Sequence, residues 1–376
     1  MKTLSYLLNV AVWGALVLQS CSNGSSSHLE EGSEIEMHHA VNIKMTEHDG
    51  FTSVTIRNPW DTTRIMQKLI LLDKDGIAPS ADSQTTIVTV PLERTVVFSS
   101  VHASLMSELG VGNALSGVCD VDYITDPEVR SGVAERRIAD CGNSMQPNVE
   151  KIIGLLPQAV LLSPYDDGSG NGKLEHLGIP LIQCADYMEP TPLGRAEWMR
   201  FYGRLFGAGE RSDSLFAETE REYSDLKDNA AVSSTRPKVI FDRVYGQAWD
   251  MPGPKSALGT LVKDAGGRLP FEDNPTPGRI TKSQEAMLME AGDADIWLIR
   301  HADEPLTLSS LKADREIYTK FKAYKEGNVY GCPTISTNVF DDMAFHPQWL
   351  LGDVISVLHP ESGVVPMKRY FKKLDN

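Results

Sequence analysis

Neither glycine nor proline occurs in residues 210–230, and Leu215, Phe216, Tyr223 and Leu226 fall on one face of the helix that this run predicts. At 1.5 Å per residue such a helix is about 30 Å long, roughly one domain diameter. The same pattern stands on both sides of it: short apolar runs separated by helical stretches. Residues 95–98, 114–118, 159–162 and 179–182 precede it, and residues 238–241, 295–299 and 328–330 follow. Runs that are apolar throughout suit strands buried on both faces, and strands alternating with helices build a parallel sheet. The expected fold is α/β: two similar lobes with parallel sheets, joined by a single long helix.

The chain has 376 residues, enough for two or three domains. Residues 1–20 read as a signal peptide: Lys2 supplies a positive charge, and residues 4–18 are mostly apolar but too short to span a bilayer comfortably. Leu18-Gln19-Ser20-Cys21 then resembles a bacterial lipobox, with Cys21 lipidated after cleavage and residues 21–36 a flexible tether. Gln19 is unusual in such a box, and a plain secretory signal is the alternative. Either way the mature chain is exported, and the lipobox reading anchors it to a bacterial membrane, facing the periplasm. Residues 37–89 form a β-rich extension: Val41, Ile43 and Met45 alternate, Asp49-Gly50 is a turn signal, and Val54 and Ile56 resume the alternation, as in a β-hairpin. An N-terminal lobe over 90–208, the helix over 209–232 and a C-terminal lobe over 233–376 complete the chain.

The net charge of −15 argues against nucleic acid as a partner. Cys119, Cys141, Cys184 and Cys332 match no zinc spacing. An oxidising compartment permits a Cys119–Cys141 disulfide, and buried free thiols fit equally. No Gly-x-Ser-x-Gly elbow, phosphate-binding glycine loop or His-Glu-x-x-His motif supports an enzyme. The Gly-rich residues 168–172 follow Asp166-Asp167, which would repel a phosphate.

The halves echo each other. Glu150 lies two residues after the N-cap candidate Asn148, with Pro157 seven and Val160 ten residues beyond it. Glu285 lies two after Ser283, with Gly292 seven and Asp295 ten beyond. First-turn acids also suit the helix macrodipole without any further role.

These stretches, with Leu177-Gly178-Ile179-Pro180, Asp264-Ala265-Gly266-Gly267, Gly327-Asn328-Val329-Tyr330 and His359-Pro360-Glu361, resemble the helix-linked substrate-binding proteins of ABC importers for ferric siderophores, haem and vitamin B12. The likeness covers about residues 90–360 and is greatest to lipoprotein members of the Bacteroides group. It implies two Rossmann-like lobes with the ligand cleft between them, in a monomeric, non-catalytic protein with no cofactor of its own, delivering a metal chelate or corrinoid. It also implies that Glu150 and Glu285 dock onto arginines of the importer's membrane subunits, a two-point electrostatic register.

In open α/β sheets, ligands meet the loops after the carboxyl ends of strands. That rule selects Ser100, His102, Asp122, Tyr123, Tyr165 and Tyr187 in the first lobe, and Arg243, Tyr245, Trp249, His301 and Asn338 in the second. The aromatic members suit a large, flat ligand, and ordinary packing is the bland alternative for each. Arg243 suits ligand carboxylates or a surface salt bridge. His102 or His301 suits a haem iron, and with His346 a bare metal site, against the default of capping or solvated histidines. A surface or adhesion lipoprotein without a transport role is the rival reading. A continuous helix between lobes further predicts small closure on ligand binding.

Overall fold

The computed structural model describes residues 32–164, 172–276 and 278–376. The signal segment, Cys21 and Tyr165 lie outside them.

Five strands open the described chain: β1 (Ser33–Ile35), β2 (Ile43–His48), β3 (Phe51–Arg57), β4 (Ile65–Asp73) and β5 (Thr85–Val90). They form one sheet in that order, antiparallel up to β4, with β5 parallel to β4. The expected hairpin is therefore only the β2–β3 pair of a larger sheet. Its turn is at Gly50, whose φ of +80° suits a residue without a Cβ. Strand β4 escapes the alternation rule because its Leu69, Ile70 and Leu71 are consecutive and all buried.

This sheet is built into the first lobe. The Gln67 amide donates to the Leu181 carbonyl (2.6 Å) and accepts from the Gln183 N–H (2.9 Å), serving the edge strand there as a neighbouring strand would. Two buried carboxylates grip the segment between β1 and β2. Glu197 accepts the backbone N–H groups of His38, His39 and Ala40, each at 2.8 Å, and Glu189 those of Val41 and Asn42, each at 2.9 Å. Met45, Ile56, Leu69 and Leu71 pack in one apolar core with Leu105, Leu161 and Trp198.

The first lobe carries β6 (Thr95–Val97), β7 (Leu115–Val118), β8 (Ala139–Asp140), a small antiparallel ribbon β9 (Gly142–Asn143) and β10 (Gln146–Pro147), then β11 (Ala159–Leu162) and β12 (Leu181–Gln183). Its main sheet is parallel, ordered β12-β11-β6-β7-β8. All four residues of β11 are buried, as a strand covered on both faces requires. Its helices are α1 (Ser100–Glu108), α2 (Pro127–Ala134), α3 (Val149–Gly154), α4 (Pro192–Glu197) and α5 (Met199–Leu205). Helix α6 (Gly209–Ala231) follows, 23 residues long. It buries Ser212, Phe216, Thr219, Tyr223 and Ala230, a stripe spaced by three, four and seven residues.

The second lobe has β13 (Val239–Phe241), a three-stranded sheet of β14 (Val244–Tyr245), β15 (Ala248–Pro252) and β16 (Arg279–Lys282), then β17 (Ile296–His301), β18 (Val329–Pro333) and β19 (Lys372–Lys373). Its main sheet is ordered β13-β17-β18-β19, parallel except for β19. The helices are α7 (Ala257–Asp264), α8 (Gln284–Ala291), α9 (Leu308–Asp314), α10 (Lys322–Lys325), α11 (Val339–Phe345) and α12 (Pro347–Leu358). The mixed α/β fold of two lobes with parallel sheets is that read from the sequence.

Cys119, Cys141, Cys184 and Cys332, the four cysteines among the described residues, are buried free thiols. Burial pushes Cys141 up to about 11 and Cys119 higher still, so both are unreactive at neutral pH.

Candidate functional site: the strand ends between the lobes

Helix α11 belongs to the second lobe by sequence but packs on the first. Ala344 and Phe345 join the first lobe's core, with Phe345 edge-on to Tyr202 at 5.8 Å. Its start is a left-handed residue, Asn338 (φ +57°), whose side chain meets Thr125 of the first lobe. Asp341 then accepts from Ser100 Oγ (2.8 Å) and Ser104 Oγ (2.9 Å), and His346 Nε2 lies 2.8 Å from Glu108 Oε2. Burial raises the Asp341 carboxyl, against the pull of the two serine hydroxyls. The expected ligand residues Ser100 and Asn338 are thus taken up in a seam between the lobes.

Two expected residues are corrected outright. His102 is 2% exposed, three residues into α1 on the face that also buries Ala103, Leu105 and Met106. Its Nε2 lies 2.8 Å from Asp186 Oδ1 and 3.0 Å from the Tyr202 hydroxyl, and Arg195 Nε donates to Asp186 Oδ2 (3.2 Å). Burial pushes Asp186 up, but His102, Arg195 and Tyr202 together outweigh it and hold it at about 2. Trp249 is 0% exposed, because β13 leads into the β14–β15 pair, which turns the indole back inside. It stacks on Trp297 at 5.4 Å and donates to the Phe241 carbonyl. The strand-end rule finds where a loop starts, not which way the fifth or eighth residue after the strand points.

Other expected residues stay at the surface. Asp122 and Tyr123 are exposed in the turn after β7, and Tyr187 is partly exposed after β12, its hydroxyl on the Pro164 carbonyl. Tyr245, the last residue of β14, is 93% exposed. Arg243 is paired with Glu304 (3.3 Å) and Asp314 (3.4 Å), the surface salt-bridge alternative. The His301 ring lies over Gly331, where an added Cβ would come within 3.0 Å of Nε2, and its Nδ1 is 2.5 Å from the Ala302 carbonyl. His102, His301 and His346 sit in three separate settings. Among the described residues no three His, Cys, Asp or Glu side chains are placed to hold a metal ion.

The sequence reading missed Arg300, beside His301 at the carboxyl end of β17. Asp242, left-handed after β13 (φ +58°), accepts from the Arg300 backbone N–H (3.1 Å), Nε (3.1 Å) and Nη2 (2.5 Å). The guanidinium lies 6.0 Å from the Phe241 ring and 5.8 Å from that of Phe340, an exposed residue next to Asp341. Burial works against the Arg300 charge and Asp242 outweighs it, so its pKa lies above the ordinary value. The clue was period two: residues 300 and 301 of one strand face opposite ways, so choosing the histidine passed over the arginine.

Away from the strand ends, Asn148 caps α3 by accepting from the Lys151 N–H (3.0 Å), and Ser283 caps α8 by accepting from the Ala286 N–H (3.2 Å). Glu150 and Glu285 follow in the first turns, both exposed. Gln284 donates to Glu285 (2.9 Å) and holds its carboxyl below the usual range. Each helix leads into an inner strand of its own lobe, β11 or β17.

The periplasmic binding protein family model matches residues 99–335, more than half of the chain and parts of both lobes. The chain belongs to that family. Among curated relatives of this periplasmic binding protein, an uncharacterized lipoprotein of Methanocaldococcus jannaschii is 28% identical over 324 residues, 79% of this chain and 73% of that protein. A cobalamin-binding protein of Halobacterium salinarum is 25% identical over 262 residues, 68% of each chain. A periplasmic haem-binding protein of Pseudomonas aeruginosa shares the fold, with a TM-score of 0.58 at 15% identity, covering 76% of this chain and 98% of that one. No described helix is long and apolar enough to cross a membrane.

Proposed function

We propose that this periplasmic binding protein is exported, anchored through lipidated Cys21, and captures a metal chelate (a ferric siderophore, haem or cobalamin) for an ABC importer. The observation that carries the proposal is aromatic exposure at the carboxyl ends of both sheets: Tyr123 and Tyr187 on one lobe, Tyr245 and Phe340 on the other. Such faces suit a broad, partly apolar ligand. Arg300 adds a cation already oriented by Asp242, with Nη1 free of any protein partner among the described residues, fitted to an acidic group of the ligand. The relatives' names, one a lipoprotein and one a cobalamin binder, point the same way. Delivery runs through Glu150 and Glu285, one per lobe, set against basic residues of the membrane subunits. The role is binding by a monomer, without catalysis.

The test is an absorbance spectrum of the purified mature protein after incubation with cyanocobalamin, haem or ferric siderophores and desalting. Retention of one at equal stoichiometry is the expected result and names the substrate. Retention of none of these overturns the chelate reading and favours the adhesion role.

A further inference from the structure

Resting on the importer-docking reading, we infer that each docking glutamate is half of a two-part patch. Its other half is an apolar side chain one turn along the same helix face, and the importer's membrane subunits offer each lobe a basic residue beside an apolar depression. Among the described residues, three large apolar side chains stand exposed on α-helices: Ile153 on α3, Met289 on α8 and Phe340 on α11. Phe340 lies by Arg300. The other two fall on the two helices that carry Glu150 and Glu285. Ile153 comes three positions after Glu150 and Met289 four after Glu285, both spacings that share a helix face. Leu156, exposed just beyond α3, widens the first patch, and Met289 is 82% exposed.

Single apolar residues on a surface are ordinary. The pairing of one with an exposed carboxylate, within one helical turn on both lobes, is not what surface composition supplies. The two halves do different work. Exposed carboxylates steer and set register but are screened beyond about 8 Å in physiological salt. A buried methionine or isoleucine holds the complex once formed and is indifferent to salt. A second copy of this chain does not fit the patches, since it would set carboxylate against carboxylate. A partner with basic residues does.

The test recovers the importer's membrane subunits on the immobilised mature protein from solubilised membranes, identifies them by mass spectrometry, and titrates them in nanodiscs. Ile153→Ser and Met289→Ser should each weaken binding about tenfold or more, the cost of leaving such a side chain in water. Together they should abolish the complex at about 0.5 M salt, where charge is screened and the wild type persists. Chelate retention and melting temperature should not move. If the serine variants bind within twofold of wild type while Glu150→Gln with Glu285→Gln loses the complex, the inference fails and the importer reading stands. If no importer subunit is recovered and none of the four substitutions changes anything, both fail.

Discussion

Ser100, the first residue of α1, donates a hydrogen bond of 2.8 Å to Asp341 on α11, 241 positions along the chain. Ser104, one turn on, donates to the other oxygen of the same carboxylate. One acidic side chain thus receives two hydroxyls from a single helix face of the opposite lobe. Asp341→Ala leaves both partly buried hydroxyls without this acceptor, a loss of about 1–3 kcal/mol. For a chain of this size we expect a fall of a few degrees in melting temperature, with Asp341→Asn recovering part of it. Calorimetry on the three proteins decides. An unchanged Asp341→Ala melt would mean that the seam contributes nothing to stability.

Tyr245 and Trp249 lie four positions apart, and the structure assigns them opposite consequences. Tyr245→Ala removes a side chain that touches mainly solvent. It should leave stability within about 0.5 kcal/mol of wild type while weakening chelate retention. Trp249→Ala opens a void among Trp297, Tyr318 and Phe321. It should cost about 3–5 kcal/mol in denaturant unfolding. A Tyr245→Ala protein with full ligand retention would remove that tyrosine from the site.

The lobes were legible because a parallel sheet buried on both faces leaves an apolar run that no other element leaves so briefly, as in Ala159–Leu162. The extension was half legible. Alternation exposed β2 and β3, but Gln67 and the carboxylates of Glu189 and Glu197 act through partners more than 100 positions away. Side-chain direction was the least legible, since it depends on what packs behind a loop. His102 and Trp249 face inward because Asp186 and Trp297 wait there, and nothing local to either residue says so.

Two buried carboxyls give opposite pH responses. Asp353, on α12, accepts the backbone N–H groups of Tyr370 (2.8 Å) and Phe371 (2.7 Å) through one oxygen while the other has no partner. Burial raises it to about 6, above an unfolded value near 3.8, so the folded state holds its proton more tightly. Its contribution to stability is therefore greatest below about pH 4 and falls as pH rises to about 6. Asp186, held at about 2, contributes above pH 4 and loses that contribution as pH falls toward 2. Unfolding free energy measured from pH 3 to 7 should fall less between pH 4 and 6 in Asp353→Asn than in wild type, by about 2–3 kcal/mol. Parallel profiles for the two proteins would place the Asp353 pKa elsewhere.

Helix α6 runs unbroken for 23 residues, and the side-chain contacts of the seam (Thr125–Asn338, Ser100 and Ser104 with Asp341, and Glu108–His346) tie the lobes beside it. Domain closure needs a few residues that absorb large backbone rotations, and a continuous helix offers none. Ligand capture should therefore rearrange exposed side chains such as Tyr245 and Phe340 rather than swing one lobe over the other. A compact chain of this length has a radius of gyration of about 21 Å. X-ray scattering with and without the retained chelate should give values within about 1 Å of each other, since the lobes keep their relation. Asp341→Ala, which removes the two serine contacts, should widen the difference. A contraction of several ångströms in the wild type would show that the seam opens in solution and that the structure holds the lobes in their closed arrangement.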